Sequence, residues 1–109
     1  MTMTVSEPKI VALQFNDCIN DRNLYGIEHL MTNDHRFIDS EDNQIKGKQS
    51  CLKAWVSFFS MFPDYKNIFQ TINSNDNLVT IRGYSTCSDK RLDGPAMWTA
   101  KIQDGKVAE

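Results

Sequence analysis

Cysteine, proline and glycine are scarce in this chain, at 3, 3 and 5 among 109 residues. Cys18, Cys51 and Cys87 are odd in number, widely separated and without a CxxC spacing. That excludes a disulfide framework and offers no zinc-ligand pattern. Reduced thiols suit a cytoplasmic protein. Positive charge is not in excess either: Lys plus Arg number 12 against 14 Asp plus Glu, a net charge of -2. The concentrated cationic surface that nucleic-acid phosphates require is therefore missing. No apolar run is long enough to span a bilayer. The longest, Trp55 to Phe62, is interrupted by Ser57 and Ser60. Met1 to Pro8 contains neither a basic nor an apolar segment, so no secretory signal is read there. These absences predict a cytoplasmic protein that binds neither nucleic acid nor membrane.

What is present is ordinary globular material. Hydrophobic residues at 40% and charged residues at 24% argue against disorder. A chain of this length hides roughly two-thirds of its unfolded surface, enough for a core without a metal or a disulfide. There are no repeats, low-complexity tracts or linkers, so residues 1–109 read as a single domain.

The periodicity divides that domain into helices followed by strands. Ser6 is a candidate N-cap, with Glu7 and Pro8 in the first turn. Val11, Phe15, Cys18 and Ile19 then recur at helical spacing, with Gln14, Asn16, Asp17 and Asp21 off that stripe. This helix is expected to end near Asp21–Arg22. Asn23 caps a short second helix with Leu24, Ile27, Leu30 and Met31 on its apolar side. From His35 the period becomes two, through Phe37 and Asp39, as in a strand. Ser40 to Asn43 form a turn, and Gly47 closes the loop before a third helix. That helix carries Leu52, Trp55, Phe59 and Phe62 on one stripe and Cys51, Phe58 and Met61 on another, so it is expected to be enclosed; Pro63 stops it. Tyr65–Asn73 and Leu78–Cys87 read as strands of a hairpin around Ser74–Asn77, with Gly83 marking a bulge or bend. Ala96–Gln103 is a further strand, and Asp104–Gly105 is a hairpin signal with only Lys106–Glu109 after it. The short return arm leads us to expect further strand residues in the natural chain.

Asn20-Asp-Arg-Asn-Leu-Tyr-Gly-Ile27, Phe37-Ile-Asp39, Gly47 before the third helix, Phe62-Pro-Asp-Tyr65 and Asp104-Gly-Lys-Val107 follow one another along the chain. Taken in this order, these short motifs resemble the SnoaL-like branch of the nuclear transport factor 2-like superfamily. The resemblance implies an α+β cone in which a curved antiparallel sheet wraps a long helix. It also implies a deep apolar pocket and a homodimer packed through the outer face of the sheet. No metal and no cofactor are expected.

Asp39 falls where ketosteroid isomerase-like members hold a carboxylate that moves a proton beside a carbonyl. Beside Phe37 and the aromatic helix, such an acid is expected to be desolvated and its pKa raised. The resemblance also implies that Phe15 replaces the isomerases' oxyanion-holding tyrosine and that Trp98 replaces their second acid. Isomerase chemistry then lacks its main electrostatic stabiliser. An epoxide hydrolase reading around Arg82 has no acid on the same strand to complete it.

Two functional readings follow. In one, Asp39 is a catalytic base assisted by His35 or Tyr65, acting on a small apolar carbonyl or polycyclic compound in isomerase, cyclase or hydrolase chemistry. In the other, the domain binds a small apolar molecule or dimerises without catalysis. Phe15, Phe37, Trp55, Phe59, Tyr84 and Trp98 are the candidate pocket lining in both. Each also has a plain structural role: Asp39 can cap the Ser40–Asn43 turn, His35 can be a half-buried strand residue, and the aromatics can fill a core.

Overall fold

The computed structural model describes residues 7–39 and 41–109. Helices α1 (Pro8–Asn20) and α2 (Leu24–His29) come first, followed by a small hairpin of β1 (Arg36–Ile38) and β2 (Gln44–Lys46). Helix α3 (Lys48–Met61) leads into the main sheet of β3 (Lys66–Asn75), β4 (Leu78–Thr86), β5 (Gly94–Gln103) and β6 (Lys106–Val107). That sheet is an antiparallel meander in the order β3-β4-β5-β6. The architecture is the expected α+β fold. Among the described residues no helix is long and apolar enough to cross a membrane.

Local chemistry sets the helix boundaries. Pro8 begins α1, where its fixed φ suits a first turn and its missing N–H costs nothing. Glu7 precedes it without a side-chain cap, and the expected Ser6 cap lies outside the described residues. Asn23 does cap α2: its Oδ1 accepts from the Gly26 N–H at 3.0 Å. Gly47 precedes α3 at φ 95°, ψ 142°, a conformation that residues with a Cβ rarely adopt.

Two apolar clusters meet at Phe15. One joins Val11 and Ala12 of α1 to Val79, Ile81, Ile102 and Val107 of the sheet. The other joins Ile19, Ile27, Met31 and Cys51 across the three helices. Ile27 and Met31 are fully buried, and each such side chain contributes roughly 1.5–3 kcal/mol by leaving water.

The main sheet lies chiefly on α1, while α3 packs on α2 and the β1–β2 hairpin. Enclosure of α3 on several sides is therefore corrected. Only Cys51 of that helix is fully buried, Trp55, Phe58 and Phe59 are half-buried, and Met61 is 65% exposed.

Curvature enters through β3. Phe69 pairs with Gly83 and Thr71 with Arg82, so Gln70 is an extra residue in a bulge. The bulge resets the alternation, which lets Phe69 and Ile72 both join the α1-facing core. Gly83 permits the close approach, because a Cβ there would sit 1.9 Å from the Ile68 carbonyl oxygen.

Candidate functional site

A line of aromatic rings runs from the small hairpin to the main sheet. Phe37 meets Trp55 edge-on at 6.4 Å between ring centroids. Trp55 contacts Phe59 at 5.3 Å and Phe58 at 5.7 Å, and Phe58 meets Tyr65 edge-on at 4.9 Å. Positions 55, 58, 59 and 62 share one side of α3 by helical spacing. Arg22, at φ 56° between α1 and α2, fastens the end of this row. Its guanidinium donates to the Phe62 carbonyl at 3.3 Å and to the Pro63 carbonyl, and lies 5.6 Å from the centroid of the Phe59 ring. The last turn of α3, short of partners for its carbonyls, gains a cation there.

Where the aromatic row reaches the sheet, it meets a ladder of neutral polar side chains. The Tyr65 hydroxyl lies 3.0 Å from Ser85 Oγ, and Ser85 Oγ donates to Asn67 Oδ1 at 3.0 Å. Because that serine proton is committed to Asn67, Tyr65 is the donor to Ser85. The Asn67 backbone is held from α1. Its N–H donates to Asn20 Oδ1, and its carbonyl accepts from Asn20 Nδ2, both at 2.9 Å. Asn16 Nδ2 donates to the same carbonyl at 3.4 Å. Burial pushes the Tyr65 phenol pKa up, so this hydroxyl stays protonated at neutral pH.

The other two residues expected to do chemistry, His35 and Asp39, are differently placed. His35 is buried, and its ring lies 2.7 Å from the Val107 carbonyl oxygen through Nδ1. A carbonyl only accepts, so Nδ1 carries the proton. Burial pushes the His35 pKa down, and the ring is neutral at pH 7. Asp39 sits at an exposed turn rather than in a desolvated pocket. Its Oδ1 accepts from the backbone N–H groups of Asn43 at 2.9 Å and Glu41 at 2.8 Å, and its Oδ2 accepts from Asn43 Nδ2 at 3.2 Å. The Asn43 N–H first, then the Glu41 N–H, hold its pKa below the usual carboxylate value. The expected rise is thus reversed, because hydrogen bonds to the charged form outweigh desolvation.

Of the expected lining, Phe15 joins the two cores, and Trp55 and Phe59 stand half-buried on α3. Phe37 is 43% exposed at the edge of Trp55. Trp98 packs on Phe69 at 5.4 Å, on the face of the sheet that covers α1. Tyr84 is corrected. It pairs with Ile68 and Pro95, and the alternation that turns Ile81 and Ser85 inward turns Tyr84 to the outer face. Two open surface grooves, of about 580 and 330 Å³, are lined mainly by charged residues and include none of these aromatics. Among the described residues no group of three His, Cys, Asp or Glu side chains could hold a metal ion.

The sequence matches the family described as the SnoaL-like domain over residues 12–109. The chain belongs to the SnoaL-like domain family. The SnoaL-like fold recurs in distant solved structures. A Sinorhizobium meliloti protein provisionally assigned as a polyketide cyclase superposes at a TM-score of 0.82 with 13% identity, covering 91% of this chain and 89% of that one. An uncharacterised cystatin-fold protein from Novosphingobium aromaticivorans gives 0.80 and 15%, covering 94% and 93%. A Kribbella flavida protein provisionally assigned as a ketosteroid isomerase gives 0.74 and 17%, covering 93% of this chain and 72% of that one. No curated protein matches the sequence.

Arg22, Asn16, Asn20, Asn67 and Ser85 of this SnoaL-like chain were not among the expected site residues. Asn16 was expected off the apolar stripe of α1 and is instead buried, four residues after Ala12 and three before Ile19 on the packed side; Asn20 follows it one turn later. Asn67 and Ser85 are directly paired across β3 and β4. Arg22 had no signal in the sequence, because its role depends on where α3 ends.

Proposed function

We propose that this SnoaL-like protein is a cytoplasmic homodimer that binds a small, largely apolar, neutral molecule between the aromatic side of α3 and the Tyr65 end of the main sheet. The observation that carries this reading is the meeting of the half-buried Trp55, Phe58 and Phe59 with the uncharged Tyr65–Ser85–Asn67 ladder. Aromatic surface with a few oriented polar groups is the usual make-up of a small-molecule site. Binding without catalysis is favoured over acid/base chemistry. Asp39 is tied into its own turn, and the buried His35 ring lies beside Phe15 with Nδ1 held by Val107, so neither belongs to the Trp55–Phe58–Tyr65 row or to the polar ladder where the molecule would sit. The dimer reading draws support from the outer sheet face, where Met97 is 61% and Tyr84 37% exposed. Three free cysteines are compatible with a reducing compartment.

Native mass spectrometry of protein purified from its own host, with fluorescence titration of 2-methylnaphthalene, tests the reading. We expect a co-purified apolar adduct that is lost on denaturation, and quenching by the probe that weakens about tenfold or more in Trp55→Ala. Bare protein together with an unresponsive probe would sink binding. Chemical turnover of the adduct by the purified protein would return the enzyme reading.

A further inference from the structure

Asn16 is the polar member of the buried side of α1, 7% exposed alongside Val11, Ala12 and Ile19. Its amide has only one orientation that makes sense. The Asn67 carbonyl already accepts from Asn20 Nδ2, and turning Asn16 Oδ1 toward that oxygen would oppose two acceptors. Nδ2 therefore faces Asn67 and Oδ1 faces away. That oxygen is fully buried and accepts no hydrogen bond from any described residue. A buried acceptor left in this state is destabilising, and the arrival of a donor relieves that cost.

We propose that Asn16 Oδ1 is a recognition point for one neutral hydrogen-bond-donating group, a hydroxyl, on the bound molecule. The proposal rests on the small-molecule reading above and narrows its ligand class to apolar alcohols and phenols. The surroundings select against charged alternatives. A carboxylate would bring a second acceptor against Oδ1. An ammonium would find no counter-charge in the Asn16–Asn20–Asn67–Ser85–Tyr65 ladder, all five of whose side chains are neutral. The nearby Arg22 cation is occupied by the Asn20, Phe62 and Pro63 carbonyls and the Phe59 ring. The ladder is braced at both ends, by α1 and by Ser85 of β4, so the acceptor is held in place before binding. A trapped water could supply the same hydroxyl chemistry, and the choice of probes separates the two sources.

The test compares 2-naphthol with 2-methylnaphthalene, which match in shape and differ in the donor. Dissociation constants are measured by NMR titration on the wild-type chain and on Asn16→Leu. We expect wild type to prefer 2-naphthol by about tenfold. Asn16→Leu should lose that preference and bind the two probes alike. Should the variant fail to fold, the Asn16 side-chain amide signals of the wild type give the answer, moving with 2-naphthol and not with 2-methylnaphthalene. Equal affinities in wild type, as a retained water would give, overturn the proposal while leaving apolar binding intact. So does a preference that survives in Asn16→Leu, or an Asn16 signal that responds alike to both probes. Binding of neither probe overturns this proposal and the small-molecule reading together.

Discussion

Asn16 and His35 are both buried polar side chains, but they are satisfied to different degrees. His35 donates from Nδ1 to Val107, and only its protonation state is open to change. Its pKa in the fold lies below the ordinary 6.5 because burial disfavours the cation. In the unfolded chain the ring binds a proton near pH 6.5, whereas the folded ring takes one only at lower pH. Between those two values the unfolded state holds more protons, so stability is full above 6.5 and falls as the pH drops toward the folded value. We expect the urea midpoint to decline from pH 7 to pH 5 in wild type and to decline less in His35→Gln. An equal decline in both would mean that His35 carries none of it. Asp39, with its pKa lowered by its turn, acts in a separate and more acidic window. At this scale the sequence is least informative. Period two places His35, Phe37 and Asp39 on one face, but β1 ends at Ile38, and Asp39 follows the turn instead. Tyr84, by contrast, was legible: it shares parity with Leu78 and Arg82, not with Val79 and Ile81.

Elements were far more readable than side-chain directions. Pro8, Asn23, Gly47 and Asp104–Gly105 mark starts and turns by local chemistry that tertiary packing does not override. The β2 strand escaped because Gln44–Ile45–Lys46 is too short to show a period. The bulge was half-visible: Gly83 suggested a bend, but the extra residue is Gln70 on the partner strand. The two glycines predict different failures. In Gly83→Ala the new methyl meets backbone, not a mobile side chain, so about 1–3 kcal/mol or more of stability should be lost and β3–β4 amide protection should drop. Gly47→Ala meets open space, yet its φ of 95° remains unfavourable for alanine. That cost of about 1–3 kcal/mol should appear with the main-sheet protection pattern unchanged. Denaturant melts with hydrogen exchange distinguish the two cases.

For the whole molecule, the helical layer occupies one face of the main sheet and leaves the other in solvent. Ile68, Tyr84, Pro95 and Met97 share that outer face across three strands. If two chains pair there, Met97→Lys places a cation beside Arg82, its cross-strand neighbour, and a second such pair on the opposing copy. Light scattering should then give twice the chain mass for wild type and the single-chain mass for the variant. A monomeric wild type would dispose of the dimer.

The last three residues stitch both layers together. Val107 exchanges backbone hydrogen bonds with Leu30 and Thr32, Ala108 accepts from Arg36, and the Glu109 carboxylate bridges Arg36 and Lys101. All of these ties except the one to Lys101 span more than seventy positions of sequence, the kind of closure that makes folding slow. During synthesis, then, the helices must wait without their fastening until the final codons of this stretch are translated and have cleared the ribosome. A nascent chain halted short of Val107 would leave His35 without its carbonyl and the edge of β5 bare, a form that chaperones rather than packing would have to protect.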